Sequence, residues 1–389
     1  MQGIPLGLLL IAAATTVAAQ PTPPAAAVWQ MQDSGTTASL RGIDSVNGTI
    51  AWASGTAGTV LKTTDGGAHW QRCAVPDAAA DGATLDFRGV QAWDAKTAVV
   101  MASGPGEKSR LYKTTDGCQT WRVFFRNPDG QDGFFDSFWF NGPVGVLLGD
   151  PVRGKFAVFK TANGGKSWKR DPEEGLALRG RSLAAFAASN SSIARGNREF
   201  ARMFATGGKG GAVLFSRLDD PEDQNPAGLI VKLARKKTDW KTSPIAVVSG
   251  TESAGVFAIS YRYPVTVGLC PNCGFADNSR FIAVGGDYTK PNETKGTAAW
   301  SADGGDNWTA SATPPHGYRS SVQWSDPLKV WIAVGTSGSD QSRDDGRTWQ
   351  PLDDGNWNAL SLPFVVGPNG RIARINAATL MPRAISGAK

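Results

Sequence analysis

Histidine is almost missing from this chain: only His69 and His316 occur in 389 residues. A Ser-His-Asp triad would have to use one of them, and neither stands in a nucleophile-elbow context. His69 sits inside a turn motif described below and is expected to be structural; His316, in a loop before Tyr318, is expected to be solvated. Cysteine is nearly as scarce, with four residues, few for a disulfide-built scaffold. Cys270-Pro-Asn-Cys273 is half of a zinc knuckle without a second CxxC, so no metal is expected there. A local disulfide and an incidental feature of an insertion are the alternatives for that pair. No GxGxxG follows a strand and opens a helix, and GPGEKS (104–109) lacks phosphate-loop spacing. No cofactor is expected.

Basic residues are missing from the start of the chain, where Arg41 is the first. Residues 5–19 (PLGLLLIAAATTVAA) form a short apolar run ending in small residues, the pattern of a signal peptide cleaved near Ala19. A Pro/Ala-rich spacer follows at 20–27, with no Cys for a lipid anchor. No later stretch reaches the roughly 20 apolar residues of a membrane span. A secreted or periplasmic protein that does not itself span a membrane is therefore expected. The net charge of +6 is spread along the chain, which argues against nucleic acid as a partner.

What the chain does have is 47 Gly and 14 Trp, in a composition 41% apolar and 19% charged. So much Gly favours a turn-rich β protein. The Trp are explained by a repeat. KTTDGGAHW (62–70), KTTDGCQTW (113–121), KTANGGKSW (160–168), WSADGGDNW (300–308) and QSRDDGRTW (341–349) are built on S/T-x-D-x-G-x-x-W, with Asn163 in place of the acid in the third and Cys118 at the glycine position of the second. This is the Asp box. Its Asp65, Asp116, Asn163, Asp303 or Asp344 accepts backbone N–H groups of its own turn. Gly supplies positive φ. Trp70, Trp121, Trp168, Trp308 or Trp349 then opens the next strand with a large ring to bury. Trp240 in a damaged box and Trp29 in VWQMQ (28–32) complete seven Trp in phase.

Upstream of each box the same order of short alternating strands recurs: SLRGIDSV, TIAWASG and TVLKTT precede the first, and HWQRCAV follows it. Four strands in about 40–50 residues make a propeller blade. The last unit (356–376) lacks its Trp strand, and VWQMQ supplies one. The expected fold is all-β: a seven-bladed β-propeller over 28–376 with Asp-box hairpins, closed by the N-terminal strand in the last blade. Insertions near 217–238 and 262–280 read as surface loops, and 377–389 as a C-terminal tail. Cys73 and Cys118 fall near the boxes of adjacent blades and could pair, although spacing does not decide connectivity.

The innermost strand of each blade lines the central channel. Aligning these strands puts Arg41, Arg88, Asp136, Arg319 and Asn358 in equivalent positions near the mouth, with no clear polar equivalent in blades 4 and 5. Converging guanidinium groups suit a carboxylate or other anionic ligand; pairing of Arg with Asp around water is the plainer alternative.

The run LRGIDSVNGTIAWASGTAGTVLKTTDGGAHW, continued by LDFRGVQAWD, FFDSFWF and GDPVRGKF, resembles the propeller family of photosystem II stability and assembly factors and its bacterial relatives. The resemblance covers about residues 28–376. It implies a non-enzymatic factor that contacts a protein client, such as a membrane-protein precursor, through a basic patch, for which Arg41, Arg88 and Arg319 are the matches. A monomer is expected. Two other readings use the same fold. A sialidase- or xyloglucanase-like glycoside hydrolase would need an Arg-Ile-Pro segment or a carboxylate pair, and Arg41 is followed by Gly-Ile-Asp. A cell-surface recognition module would use the outer loops.

Overall fold

The Asp boxes fold alike. In the first, Thr63 Oγ1 donates to Asp65 Oδ1 at 2.8 Å and accepts from Gly67 N at 2.9 Å, while His69 N donates to Asp65 Oδ1 at 3.0 Å. The same three bonds recur around Asp116, Asn163, Asp303 and Asp344. The turn needs an acceptor oxygen, not a charge, and Asn163 therefore serves as well as Asp. Hydrogen bonds from the Thr120 hydroxyl and N–H hold Asp116 down at about 2. The second box departs from the pattern, with Cys118 at φ 69° where its counterpart Gly67 has 89°. That residue forms a disulfide with Cys73, with 5.3 Å between the Cα atoms, and so fastens the second box to the outer edge of the first blade.

The computed structural model describes residues 27–171, 175–194, 201–218, 240–262 and 279–380. The signal segment, nearly all of the spacer, the bulk of both insertions, the Cys270–Cys273 pair and the end of the tail lie outside the described residues. The chain is a seven-bladed β-propeller. It starts with β1 (Trp29–Gln32) and builds blade 1 from β2 (Leu40–Ser45), β3 (Ala51–Gly55), β4 (Val60–Thr63) and β5 (Gln71–Arg72). Blade 2 is β6 (Phe87–Ala92), β7 (Ala98–Ala102), β8 (Arg110–Thr114) and β9 (Arg122–Arg126). Blade 3 is β10 (Phe135–Asn141), β11 (Val144–Val152), β12 (Lys155–Thr161) and β13 (Lys169–Arg170). Blade 4 has β14 (Ala201–Ala205), β15 (Val213–Leu218) and β16 (Lys241–Pro244). Blade 5 is β17 (Ala254–Arg262), β18 (Arg280–Asp287), β19 (Ala298–Ser301) and β20 (Thr309–Ala310). Blade 6 is β21 (Ser321–Ser325), β22 (Val330–Gly335), β23 (Gly338–Ser342) and β24 (Gln350–Asp353). Blade 7 has β25 (Ala359–Ser361), β26 (Phe364–Val366) and β27 (Ile372–Ile375), and β1 pairs antiparallel with β27, Trp29 opposite Ile375.

Blade faces are apolar because each packs on the next. Trp52 and Val60 of blade 1 meet Phe87 and Tyr112 of blade 2. Trp331 of blade 6 meets Ala258 and Ile282 of blade 5. Leu40 and Ala53 of blade 1 meet Phe364 and Ile372 of blade 7, so the last blade rests on the first. Three of the in-phase indole N–H groups reach the preceding blade: Trp70 donates to Gln32 Oε1 at 3.1 Å, Trp121 to Ala74 O at 3.0 Å and Trp29 to Ser339 Oγ at 3.1 Å. Trp308 donates within its own box to Gly305 O, and the indole N–H groups of Trp168, Trp240 and Trp349 are buried without a hydrogen-bond partner among the described residues.

Candidate functional site

Blades that are not neighbours in the ring can touch only at its axis, so such contacts locate the channel. They converge on residues 183–194, which take the innermost place in blade 4 and bridge to its sheet through Ala184–Gly207 and Ile193–Phe204. Between those bridges the chain leaves the blade. Ala187 O accepts from Arg88 Nη1 of blade 2 at 3.4 Å, and Ser189 Oγ donates to Ser320 O beside blade 6 at 2.6 Å. Asn190 Oδ1 accepts from Phe138 N of blade 3 at 2.7 Å, and Ser191 O from Ile259 N of blade 5 at 2.9 Å. Small side chains in FAASNSS allow this approach, and Asn190 takes φ 58°, a region Asn tolerates. The segment plugs the channel, and the mouth above it is a cup.

The cup is lined where the inner strands slip register. In β2, β6, β10 and β17 the residues passed over by the ladder are Arg41, Arg88, Asp136 and Phe257. A bulge of this kind re-aims a side chain. In blades 6 and 7 the corresponding residues are Ser320 and Asn358. Arg319 N and Trp357 N bond to Gly285 O and Gly335 O of the preceding blade just as Leu40 N bonds to Gly367 O. The structure therefore moves Arg319 one residue away from the position that alignment with Arg41 predicts. It is fully buried, its Nε donating to Asp340 Oδ2 at 2.6 Å and its Nη1 to Ser337 Oγ at 3.1 Å. His316, expected in solvent, joins this cluster through Nδ1, 2.8 Å from Asp340 Oδ1. Asn358 holds its predicted place, but its amide donates to Leu40 O at 2.7 Å and Ser39 Oγ at 3.3 Å. It joins blade 7 to blade 1.

Arg41 and Arg88 remain at the cup with about a third of each side chain exposed (32% and 30%). Asp86 lies between them, 2.8 Å from Arg88 Nε and 3.8 Å from Arg41 Nε. Asp136 is buried beneath them, and burial, then the nearby Asp150, push its carboxyl well above the usual range, against the pull of Arg88. Burial also raises Asp150 to about 6, although Ala185 N donates to it at 3.2 Å. Three of these polar atoms are buried without a hydrogen-bond partner among the described residues: Arg41 Nε, Asp86 Oδ1 and Asp136 Oδ2. Among the described residues no group of three His, Cys, Asp or Glu is placed to hold a metal ion.

The other side of the cup is aromatic. Phe257 stacks on Phe186 of the plug at 3.9 Å and meets Tyr318 edge to face at 4.8 Å and Tyr288 at 6.1 Å. Burial raises the Tyr318 hydroxyl pKa, which the Arg41 guanidinium opposes and Tyr288 reinforces, so Tyr318 stands within electrostatic reach of both.

Solved structures share this architecture. YCF48 from Cyanidioschyzon merolae superposes with a TM-score of 0.58 at 18% identity, over 90% of this chain and 99% of that one. YCF48 bound to D1 peptide gives 0.56 at 17%, over 90% and 97%. In fold, the chain is similar to YCF48. No family model and no curated protein matches the sequence. At such identities the likeness to YCF48 establishes the seven-bladed architecture.

Sequence reasoning missed Asp86, Asp150 and the whole aromatic side. Phe257 could have been found by aligning VFA (256–258) with LRG and FRG without requiring a polar residue. Tyr288 and Phe186 carry no such signal, because they arrive from a loop and from the plug.

The raised carboxyl of Asp150 makes a testable statement. An unfolded Asp ionises near pH 4 and the folded one near 6, so ionisation opposes folding progressively between these values. Asp150→Asn is expected to stabilise the protein by about 2–3 kcal/mol at pH 7.5. At pH 4 it should change nothing. Urea denaturation at both pH values checks this; an equal effect at both would contradict it.

Proposed function

We propose that this chain is an exported, non-enzymatic binding propeller that receives a protein client at the channel mouth through an anionic group of that client. The observation that carries the reading is the placement of Arg41 and Arg88 in a cup closed below by the plug. Two partly exposed guanidinium groups share one carboxylate, Asp86. The mouth therefore favours one further negative charge, and a guanidinium is the natural fork for a carboxylate. Asp136 is 1% exposed, and a carboxyl so enclosed is poorly placed to protonate a glycosidic oxygen, which weighs against hydrolysis.

A YCF48 structure holds a D1 peptide, which supports a peptide as the kind of ligand this fold accepts. The resemblance to photosystem II assembly factors in the sequence supports an assembly role, with a membrane-protein precursor as client. Export rests on the apolar run at 5–19, and the Cys73–Cys118 disulfide suits an oxidising compartment.

The test is affinity capture from the native cell envelope with wild-type and Arg41→Ala/Arg88→Ala baits. A membrane-protein precursor held by the wild type and reduced at least about tenfold by the double variant is expected, one tenfold step being 1.4 kcal/mol of lost binding. Unchanged capture by a variant with the wild-type melting temperature would remove the mouth from consideration. Recovery of glycans alone would favour the hydrolase.

A further inference from the structure

We infer that the mouth has a second, apolar subsite, so that the client segment it takes pairs an acidic residue with an aromatic or large aliphatic side chain two residues away. The inference rests on the reading of the mouth as a peptide-binding cup and adds what else the peptide must carry.

Two independent observations lead there. First, Tyr288 is 53% exposed; Met31 is the other large apolar side chain left this open among the described residues, and it lies on β1, in the outermost position of blade 7. Tyr288 does not stand alone. Its ring meets Phe257 edge to face at 82°, and Phe257 is pinned in turn between Phe186 and Tyr318. Phe257 and Tyr318 are buried at 3% and 4% exposure, so the platform beneath Tyr288 is rigid. An apolar surface held open on a rigid base is poised for a ligand.

Second, the polar side is incomplete. Arg41 and Arg88 share the single carboxylate of Asp86, at 3.8 Å and 2.8 Å, while about a third of each arginine side chain stays exposed. A ligand carboxylate can meet the exposed donors of the two guanidinium groups. Tyr318, buried against Phe257 at 4.8 Å, lies within electrostatic reach of Arg41, so the aromatic platform and the arginine side border each other. In an extended peptide the side chain two residues from the acid points to the same face, so it can turn toward Tyr288 while the acid meets Arg41.

Four fluorescein-labelled octapeptides test this by anisotropy. They differ only at two positions separated by one Ser, named by the residues at those positions as Phe-Glu, Ser-Glu, Phe-Gln and Ser-Gln, in a Gly/Ser background. Phe-Glu is expected to bind roughly tenfold tighter than Ser-Glu, the order of effect of burying an aromatic ring. Tyr288→Ala should erase that factor and keep the preference for Glu over Gln. Tyr288→Phe should retain both, and Arg41→Ala should erase the preference for Glu alone. Equal binding of Phe-Glu and Ser-Glu with the preference for Glu intact would overturn the apolar subsite and leave the peptide cup standing. A Phe preference that survives Tyr288→Ala, in a variant melting as the wild type does, would also overturn it. If none of the four binds up to about 1 mM, an affinity of only about 4 kcal/mol, the peptide cup falls as well.

Discussion

Replacing Asp340 with Ala should cost the propeller about 3–5 kcal/mol, read as a lower denaturation midpoint in guanidinium chloride. Asp340 and Arg319 are both fully buried. The carboxylate accepts from Arg319 Nε at 2.6 Å and from His316 N at 3.2 Å, and its other close neighbours are Arg319 Nη2 at 2.5 Å and His316 Nδ1 at 2.8 Å. Removing it leaves a guanidinium in the interior of blade 6 whose remaining hydrogen-bond partners among the described residues are Ser337 Oγ, Tyr318 O and the His316 ring, with Asp353 and Asp354 acting on it only electrostatically. The penalty comes from that stranded charge more than from the attraction lost. The double replacement Arg319→Met/Asp340→Leu is therefore expected to be less damaging than Asp340→Ala, since it removes both charges and keeps the volume. A loss below about 1 kcal/mol for Asp340→Ala, the size of a surface pair, would mean that water reaches this cluster.

Removing the disulfide is expected to have an effect of the same size. Cys73 and Cys118 are 45 residues apart, and closing a loop of that length restricts the unfolded chain by about 4 kcal/mol. Cys73→Ala/Cys118→Ala should lose about that much, and reduction of the wild type should reproduce it. The partner residue chosen at 118 matters. Cys118 has φ 69°, which a side chain occupies at a cost of roughly 1–2 kcal/mol. Cys73→Ala/Cys118→Gly should thus recover about 1 kcal/mol over the Ala pair. Equal stability of the two double variants would show that the turn relaxes once the bond is gone.

The boxes were legible because each is a local event. Thr63, Asp65, Gly67 and His69 stand within seven residues, and their hydrogen bonds close inside that window. Neighbouring hydroxyl, carboxylate and glycine have little else to do, so the spelling and the shape correspond. Strand alternation is local in the same way. Blade 4 was the hardest to read, since its inner segment spells FAASNSS and makes only isolated bridges to its own sheet.

The mouth was half legible. Arg41 and Arg88 were found by their place in LRG and FRG, a pattern the fold repeats. The same alignment carried Arg319 along, and failed because one residue of register decides whether a side chain enters the cup or the blade. No local rule distinguishes the Arg of YRS from the Arg of FRG; the hydrogen bond from Arg319 N to Gly285 O of the neighbouring blade does.

The sequence alone determined that this is a ring of box-clipped blades, because hairpins, boxes and alternation are settled by contacts a few residues apart. The tertiary structure alone decided what the ring can hold. The plug at 183–194, the shared carboxylate Asp86 and the platform of Phe186, Phe257, Tyr288 and Tyr318 come from separate blades and loops. They meet at the axis only once every blade has packed on its neighbour, and that convergence depends on ring geometry and bulge positions, which no short window of sequence contains.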